Sequence, residues 1–273
     1  MKKKILGTNL ADGQIAIFYL GQESILIKSN GKYLLIDGYL SDYVDKFCSN
    51  ELVKWERKYP TPIAPTELDF VDYVFCTHDH ADHTDPETVS GIAAVNKKAI
   101  FVAPMPYADK LCDYGVAKDK IIGAEAGVKL SLDGVTVMPV PAAHEELTCD
   151  ENGRYANLGY RFDFGGITLF HAGDCCVYDG LAEKLGKVDV MCLPVNGRSY
   201  YKRYVRDIIG NMDAYEAAEL CSEVEAKLLV PMHFDLYAVN GLSGASVVDA
   251  LDAQNKDLCF HIFRVGERYI YSN

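Results

Sequence analysis

The chain has 273 residues, 49% of them hydrophobic, and a formal net charge of −12 at pH 7. A chain of this length can bury one sizeable core, so we expect a single domain spanning residues 1–273. The acidic balance argues against a broad nucleic-acid surface, and no apolar run approaches the ~18 residues of a membrane span. We therefore expect neither nucleic acid nor a membrane as a partner.

The first residues of the chain and its cysteines indicate in which cellular compartment the protein is found. Met1-Lys2-Lys3-Lys4 is charged like the start of a signal peptide, but residues 5–12 are too short and too polar for the apolar segment that must follow. The nine cysteines form no C-x-x-C pattern, and most lie in apolar runs as small hydrophobic residues. We expect a reducing, cytoplasmic location.

The first predicted elements form a hairpin. Residues 23–28 and 32–37 are apolar runs joined by Asn30-Gly31, a strong signal for a tight turn between antiparallel strands. Residues 39–69 are irregular and contain Trp55 and three prolines. Such a segment in a compact domain is a lid, an oligomer contact or an ordinary packed excursion.

The predicted strand at residues 70–77 leads into the most informative stretch of the chain, His78-Asp79-His80-Ala81-Asp82-His83. A regular helix would turn His80 away from the other ligands and a regular strand would turn His83 away, so the strand must end in a turn. Asp85-Pro86-Glu87 then predicts a helix start, with proline at the first helical position. Burying these side chains without a cation would leave several polar groups unpaired, so the pattern indicates a metal site.

Three later strand-like runs each end at a ligand-type side chain. Residues 135–141 lead to His144, residues 167–173 to Asp174, and residues 227–232 to His233. Each of the three is ordinary alone, and for Asp174 the reason is that Gly-Asp is a common turn. Their joint placement after the first cluster predicts further ligands. Residues 213–225 and 245–253 are predicted to be amphipathic helices of the outer layers.

This order of ligands resembles that of the metallo-β-lactamase superfamily, in which H-x-H-x-D-H precedes a later His, Asp and His. The resemblance implies an α/β fold, the four-layer αββα sandwich, with the metals at one edge. It also implies one ion held by His78, His80 and His144, a second ion held by Asp82, His83 and His233, and Asp174 as the bridge between them.

Within that superfamily the chain is similar to the L-ascorbate-6-phosphate lactonases. The similarity is carried by residues 77–83, 188–194, 211–214 and 230–237. It implies a lactonase-like hydrolase and raises manganese as a candidate metal. One or two divalent ions are expected. Their identity is open among Zn, Mn and Fe, because a nitrogen and oxygen ligand set without thiolate suits all three.

The expected chemistry is hydrolysis by a metal-bound hydroxide, because a bound ion lowers the pKa of water toward about 7 and polarises the oxygen under attack. Asp82 and Asp174 are the predicted catalytic carboxylates. Asp82 would orient the hydroxide or accept its proton, and a protonated Asp or water would then supply a proton to the leaving alkoxide. With a lactone as substrate, the product is a ring-opened hydroxy acid.

Substrate contacts are predicted on two segments. Residues 198–206 carry four cations and three tyrosines, and Arg198 and Arg203 are predicted to hold a phosphate or carboxylate through the bidentate guanidinium fork. The alternative is a solvated surface. Tyr237 is predicted to donate a hydrogen bond to the developing oxyanion, the alternative being a tyrosine of the following loop. Cys175 and Cys176 either reach the metal as thiolate, act as a redox switch, or fill space behind the site.

Three functions are compatible with these observations. The leading one is a metal-dependent hydrolase of a small anionic, sugar-phosphate-like lactone. The second is a metal-dependent phosphodiesterase or nuclease on the same fold, which would need a basic track. The third is a non-catalytic metal-binding protein, which the loss of a ligand would favour, although none is lost. Tyrosine-rich loops also allow a homo-oligomer.

Overall fold

The computed structural model describes residues 1–273. The helices are α1 (Lys2–Leu6), α2 (Tyr43–Phe47), α3 (Pro86–Val95), α4 (Leu181–Leu185), α5 (Ala214–Glu223) and α6 (Gly244–Gln254). Short 3-10 helices span Pro65–Glu67, Ala108–Tyr114 and Lys118–Lys120, and a π-helical turn spans Tyr201–Val205. None of the helices has the length and apolar character needed to cross a membrane.

The strands divide between two sheets. They are β1 (Gln14–Gly21), β2 (Ser24–Ser29), β3 (Lys32–Ile36), β4 (Tyr73–Phe75), β5 (Ile100–Pro104), β6 (Ile121–Ala124), β7 (Leu130–Leu132), β8 (Val135–Pro141), β9 (Leu158–Asp163), β10 (Thr168–His171), β11 (Val190–Pro194), β12 (Leu228–Met232) and β13 (Arg268–Ser272). The first sheet has the order β13-β1-β2-β3-β4-β5-β6 and the second has the order β12-β11-β10-β9-β8-β7.

Both faces of the central strands are buried, and each face belongs to a different core. In β1, Ile15 and Ile17 pack between the two sheets, whereas Phe18 packs with the helices outside the first sheet. In β11, Val190 faces the other sheet and Met191 faces the helices outside the second sheet. Side chains alternate along a strand, so a strand buried on both faces is apolar throughout. The predicted four-layer αββα sandwich is confirmed.

Most predicted elements are confirmed, with one difference of length. The 23–37 hairpin, the helix that starts at Pro86 and the two late amphipathic helices are all present. Asp85 caps α3, with its side chain accepting the Glu87 N–H at 3.1 Å. The strand predicted at residues 70–77 is shorter and covers only Tyr73–Phe75. It ends early because the chain turns there into the ligand loop.

The irregular segment at residues 39–69 packs against the loop that follows β12. Tyr39 and Tyr237 share a hydroxyl–hydroxyl hydrogen bond of 2.7 Å, and Tyr59 donates to Asp235 at 2.7 Å. The ring of Trp55 meets that of Tyr237 edge-on, with the ring centroids 5.0 Å apart. The segment is therefore a packed excursion that covers one end of the sandwich.

Candidate metal centre

The seven predicted ligands lie on loops that leave the carboxyl ends of four strands. His78, His80, Asp82 and His83 follow β4, His144 follows β8, Asp174 follows β10 and His233 follows β12. In the second sheet β8, β10 and β12 run in one direction, because β9 is antiparallel to both β8 and β10. Strands of one direction end at one edge of a sheet, and that is where α/β proteins place their sites.

The structure brings these side chains into two adjoining groups. Within each group the potential ligand atoms all lie within 4.8 Å of one another. The first group contains His78, His80, His144 and Asp174, and the second contains Asp82, His83 and His233. The sequence resemblance implies the same division of the five histidines and Asp82, with Asp174 as the bridge between the two sets.

Asp174 lies between the two groups and turns one oxygen toward each. Its Oδ2 is 3.9 Å from His78 Nε2 and 3.5 Å from His144 Nε2. Its Oδ1 is 3.3 Å from His83 Nε2 and 3.2 Å from His233 Nε2. A carboxylate placed in this way can bind one cation through each oxygen, so the geometry suits a pair of ions.

Divalent ions fit the residues present. The Nε2 atoms of His78 and His83 are buried and have no hydrogen-bond partner. A buried imidazole nitrogen without a partner is costly, and a bound cation would use its lone pair. The donors are five imidazoles and two carboxylates without thiolate, a set that suits Zn, Mn or Fe.

The pKa values of the histidines differ between the two groups. Burial lowers the pKa of His78 and of His144, so both rings are neutral and keep a free lone pair. Burial also acts to lower the pKa of His83 and His233, but the nearby carboxylates outweigh it and raise both, that of His233 to about 10. A metal ion that binds these two rings would therefore displace protons from the second group.

Asp37 is a buried carboxylate beside the candidate ligands that was not predicted from the sequence. Its Oδ2 accepts a hydrogen bond from His83 Nδ1 at 2.7 Å and another from the Thr77 hydroxyl at 2.7 Å. Its Oδ1 accepts the Thr77 N–H at 2.8 Å. These bonds hold the His83 proton on Nδ1 and leave Nε2 free for a metal. The available signal was a carboxylate directly after the apolar run of β3.

We expect Asp37→Asn to weaken metal binding by about 10–100-fold, the usual cost of removing a carboxylate that orients a ligand histidine. Titration against a competing chelator measures the effect. Asp72→Asn is the matched control, because Asp72 accepts the Tyr33 N–H at 2.9 Å at the other end of the strand pair. Equal metal affinity in the two variants would contradict this role for Asp37.

Two ligand loops hold backbone that is unfavourable for ordinary residues. His233 has φ +61° and Gln22, which accepts the His233 N–H, has φ +59°. Gly173 lies so close to Thr77 that a Cβ atom there would be 2.5 Å from the Thr77 hydroxyl oxygen. Left-handed non-glycine residues cost about 1–3 kcal/mol each and collect at functional sites. The local strain is consistent with a site.

A cavity of about 210 Å³ opens onto the candidate metal centre. Five of the candidate ligands line it, together with residues of three other loops: Trp55, His80, Asp82, His144, Asp174, Asp207, Ile208, Ile209, His233 and Asn240. The volume is below the ~300–1,000 Å³ typical of ligand pockets. Besides the candidate ligands, Asp207 is the one ionisable residue in this lining. No lysine or arginine lines the cavity.

The structure does not bring the predicted substrate contacts to this cavity. Arg198 binds Glu216 through two hydrogen bonds of 2.7 and 2.6 Å. Arg203 lies 3.2 Å from Glu145 and 3.4 Å from Asp207. Both arginines line a neighbouring surface pocket of about 400 Å³. Carboxylates of the protein already occupy the forks that were predicted to bind the substrate.

Tyr237 is also placed differently from its prediction as an oxyanion donor. Its side chain is buried, and its hydroxyl is 2.7 Å from that of Tyr39 and 2.8 Å from Asp45 Oδ1. The hydroxyl therefore serves the packing of the 39–69 segment. The ring supports Trp55, which does line the cavity.

The two cysteines beside Asp174 belong to neither ligand group. Cys175 and Cys176 are both buried, and burial raises the pKa of the Cys175 thiol to about 12. A thiol of this kind is protonated and inert at neutral pH. These side chains match the space-filling alternative.

A third buried cluster, Glu23, Asp37 and His171, lies beneath the ligands. Both ring nitrogens of His171 are already used, since Nε2 lies 2.8 Å from the Glu23 carbonyl and Nδ1 accepts the Gly173 N–H at 3.2 Å. His171 therefore has no free lone pair for a cation. Both carboxyl oxygens of Glu23 are buried without a partner, and burial raises the pKa of Glu23 well above its usual value.

Glu23 should give the metal-free protein a pH-dependent loss of stability. With its pKa raised by folding, the folded state holds the proton longer than the unfolded chain does. Stability is therefore lost as pH rises above the unfolded value of about 4.3, by about 1.4 kcal/mol for each unit of the shift. We expect Glu23→Gln to remove this loss. In urea denaturation with chelator, the variant should be more stable than the wild type, and the difference in the free energy of unfolding should be larger at pH 8 than at pH 5. A gain equal at both pH values would contradict the assignment.

Residues 33–234 match the family model described as a beta-lactamase superfamily domain. The chain is 27% identical over 261 residues to a metal-dependent hydrolase of Hyperthermus butylicus, covering 92% of this chain and 97% of that protein.

Solved structures with low sequence identity share the fold. An isothiocyanate hydrolase from Delia radicum gut bacteria superposes with a TM-score of 0.74 at 19% identity, over 94% of this chain and 100% of that one. A possible metal-dependent hydrolase from Veillonella parvula gives a TM-score of 0.73 at 14% identity, over 93% of this chain and 98% of that one.

Proposed function

This chain belongs to the beta-lactamase superfamily, and from that premise we propose that it opens a small lactone by hydrolysis at a pair of divalent metal ions. The coarser class is a metal-dependent hydrolase of the metallo-β-lactamase fold. The lactone and the pair of ions are the finer parts of the proposal. The observation that carries it is Asp174, whose two oxygens face two separate groups of histidines.

The cavity supports a small substrate. A space of about 210 Å³ suits a compact ring better than a polymer, and the acidic Asp207 with the net charge of −12 disfavours a polynucleotide. Arg198 pairs with Glu216 and Arg203 with Glu145, both outside this cavity, and Arg203 also lies 3.4 Å from Asp207, which lines it. We therefore propose that an anionic group is not required and that the reacting oxygens are the main recognition feature.

The residues of the chain divide the work of hydrolysis between them. When bound, the ions would supply Lewis acidity and lower the pKa of water toward about 7. Asp82 would orient the attacking water and take its proton. The Gln22 amide donates to Asp82 Oδ2 at 3.0 Å and so holds that carboxylate in place. Trp55 covers the cavity from the side of the 39–69 segment and limits access of bulk water.

The bond changes balance without any further reactant. The water oxygen forms a bond to the acyl carbon, and the bond from that carbon to the ring oxygen breaks. One water proton passes through Asp82 to the leaving alkoxide, which stays tethered because the substrate is cyclic. The product is a single hydroxy acid.

The test begins with protein stripped of metal by chelation and then reloaded separately with Mn and Zn. The substrates are γ-butyrolactone, a phosphorylated sugar lactone and the phosphodiester bis-p-nitrophenyl phosphate. His80→Ala removes an exposed candidate ligand, and His261→Ala is the matched control because His261 pairs with Glu267 outside the cavity.

We expect lactone opening that is lost on chelation, restored on reloading, lost in His80→Ala and kept in His261→Ala. If the protein cleaves the phosphodiester and does not open the lactones, the result would reject lactone hydrolysis and support a phosphodiesterase. Metal-loaded protein that is inactive on every substrate would reject lactone hydrolysis.

A further inference from the structure

Asn240 lies in the loop after β12 and lines the cavity beside the candidate ligands. Its side chain is polar and buried. We propose that the side-chain amide of Asn240 binds the substrate, donating an N–H to the oxygen on which negative charge develops. This inference rests on the proposed function and names the group that recognises the reacting oxygen.

The direction of the Asn240 amide follows from a chain of hydrogen bonds that begins at Asp174. Asn211 Nδ2 lies 2.9 Å from Asp174 Oδ1. An ionised carboxylate can only accept, so this contact fixes which end of the Asn211 amide is the nitrogen. Asn211 Oδ1 then faces His144 Nδ1 at 3.2 Å and accepts its proton. The same bond leaves His144 Nε2 free toward the metal site.

The orientation of the Asn211 amide in turn fixes the orientation of two further side-chain amides. Asn211 Nδ2 uses its second hydrogen on Asn196 Oδ1, at 3.1 Å. With its oxygen engaged as acceptor, Asn196 presents Nδ2 to Asn240 Oδ1, at 3.1 Å. Asn240 must therefore accept through oxygen and keep both hydrogens of Nδ2. The Asn240 side chain makes its one hydrogen bond through Oδ1, which leaves Nδ2 without a protein acceptor, and Asn240 is a residue of the cavity wall.

The backbone around this amide is held as firmly as its side chain. Lys202 Nζ donates to the carbonyl of Asn196 at 2.6 Å and to that of Asn240 at 3.4 Å. The Asn240 N–H donates to the Tyr237 carbonyl at 3.3 Å. A donor fixed before the substrate arrives costs no reorganisation during the reaction, which is the requirement for stabilising a developing oxyanion.

The experiment compares Asn240→Ala and Asn240→Asp with the wild type, using γ-butyrolactone and metal-loaded protein. Alanine removes the donor, and aspartate keeps the shape but replaces the donor by an acceptor. We expect kcat/KM to fall about 10²–10³-fold in both, the usual cost of one oxyanion donor. Metal content by elemental analysis should equal that of the wild type. Asn152→Asp, in an exposed turn, controls for the added charge.

Binding of inorganic phosphate to the metal-loaded proteins gives a readout that does not need turnover. Its oxygens can meet the ions and the amide together, so we expect Asn240→Ala to raise the Kd about tenfold, the effect of one hydrogen bond to a charged group. An inactive wild type with this shift would reject lactone hydrolysis and keep the Asn240 donor. Unchanged phosphate Kd and kcat/KM within twofold in Asn240→Ala, with normal metal content, would overturn the inference.

Discussion

Asp174→Ala is expected to abolish hydrolysis and to lower the metal content of the protein. Asp174 offers one oxygen to each ligand group and also anchors the Asn211 amide at 2.9 Å. Its loss removes both shared oxygens and leaves several histidines unpaired in a buried site. We expect activity to fall by about 10⁴-fold or more, because the metal centre supplies most of the rate enhancement. Steady-state kinetics and elemental analysis measure the two effects.

Asp163→Ala provides the matched control for that variant. Asp163 lies at the end of β9, where its carboxylate accepts the Gly165 N–H at 2.9 Å in a turn outside the cavity. Activity and metal content should stay within a factor of two of the wild type. An Asp174→Ala protein that kept two ions and full activity would reject Asp174 as the shared ligand.

Phe75→Ala should cause the largest loss of stability. Phe75 is 0% exposed in β4, and its ring centroid is 5.1 Å from that of Tyr160 and 5.0 Å from that of Phe162. Truncation opens a cavity between the two sheets, so we expect a loss of about 3–5 kcal/mol in the free energy of unfolding. Urea denaturation in the presence of chelator isolates this effect from metal binding.

Phe75→Leu separates the cavity from the aromatic contacts. Leucine fills most of the same volume, and we expect it to cost about 1–2 kcal/mol, less than alanine does. A loss below 1 kcal/mol in Phe75→Ala would mean that the sheets close over the gap. In that case the packing between them would not depend on this ring.

Much of the fold could be predicted because local patterns report local structure. Asn30-Gly31 between apolar runs marks the hairpin, and Asp85 before Pro86 marks the start of α3. The length of β4 could not be predicted, because Phe70 and Cys76 are as apolar as the strand itself. Where the chain leaves the sheet depends on the ligand loop it must form.

The candidate ligands could be proposed from the sequence because the first cluster and each of the three later ligands follow an apolar run. Carboxyl ends of such runs meet at one edge of a sheet, so His144, Asp174 and His233 were already candidates beside the first cluster. The structure brings them together, and their roles as ligands stay predictions. Asp37 was missed because one carboxylate after a strand is ordinary until its partners, Thr77 and His83, are seen.

By itself, the sequence determined the ligand candidates, since these depend on the spacing of residues along one strand and its loop, and its resemblance to the metallo-β-lactamase superfamily implied the αββα layers. Only the tertiary structure decided the partners of Arg198, Arg203 and Tyr237, and it gave all three to other protein groups. It also decided the direction of the Asn240 amide. Ion pairs and hydrogen bonds between residues distant in the chain depend on which atoms folding brings within 3 Å, and composition carries no record of that distance.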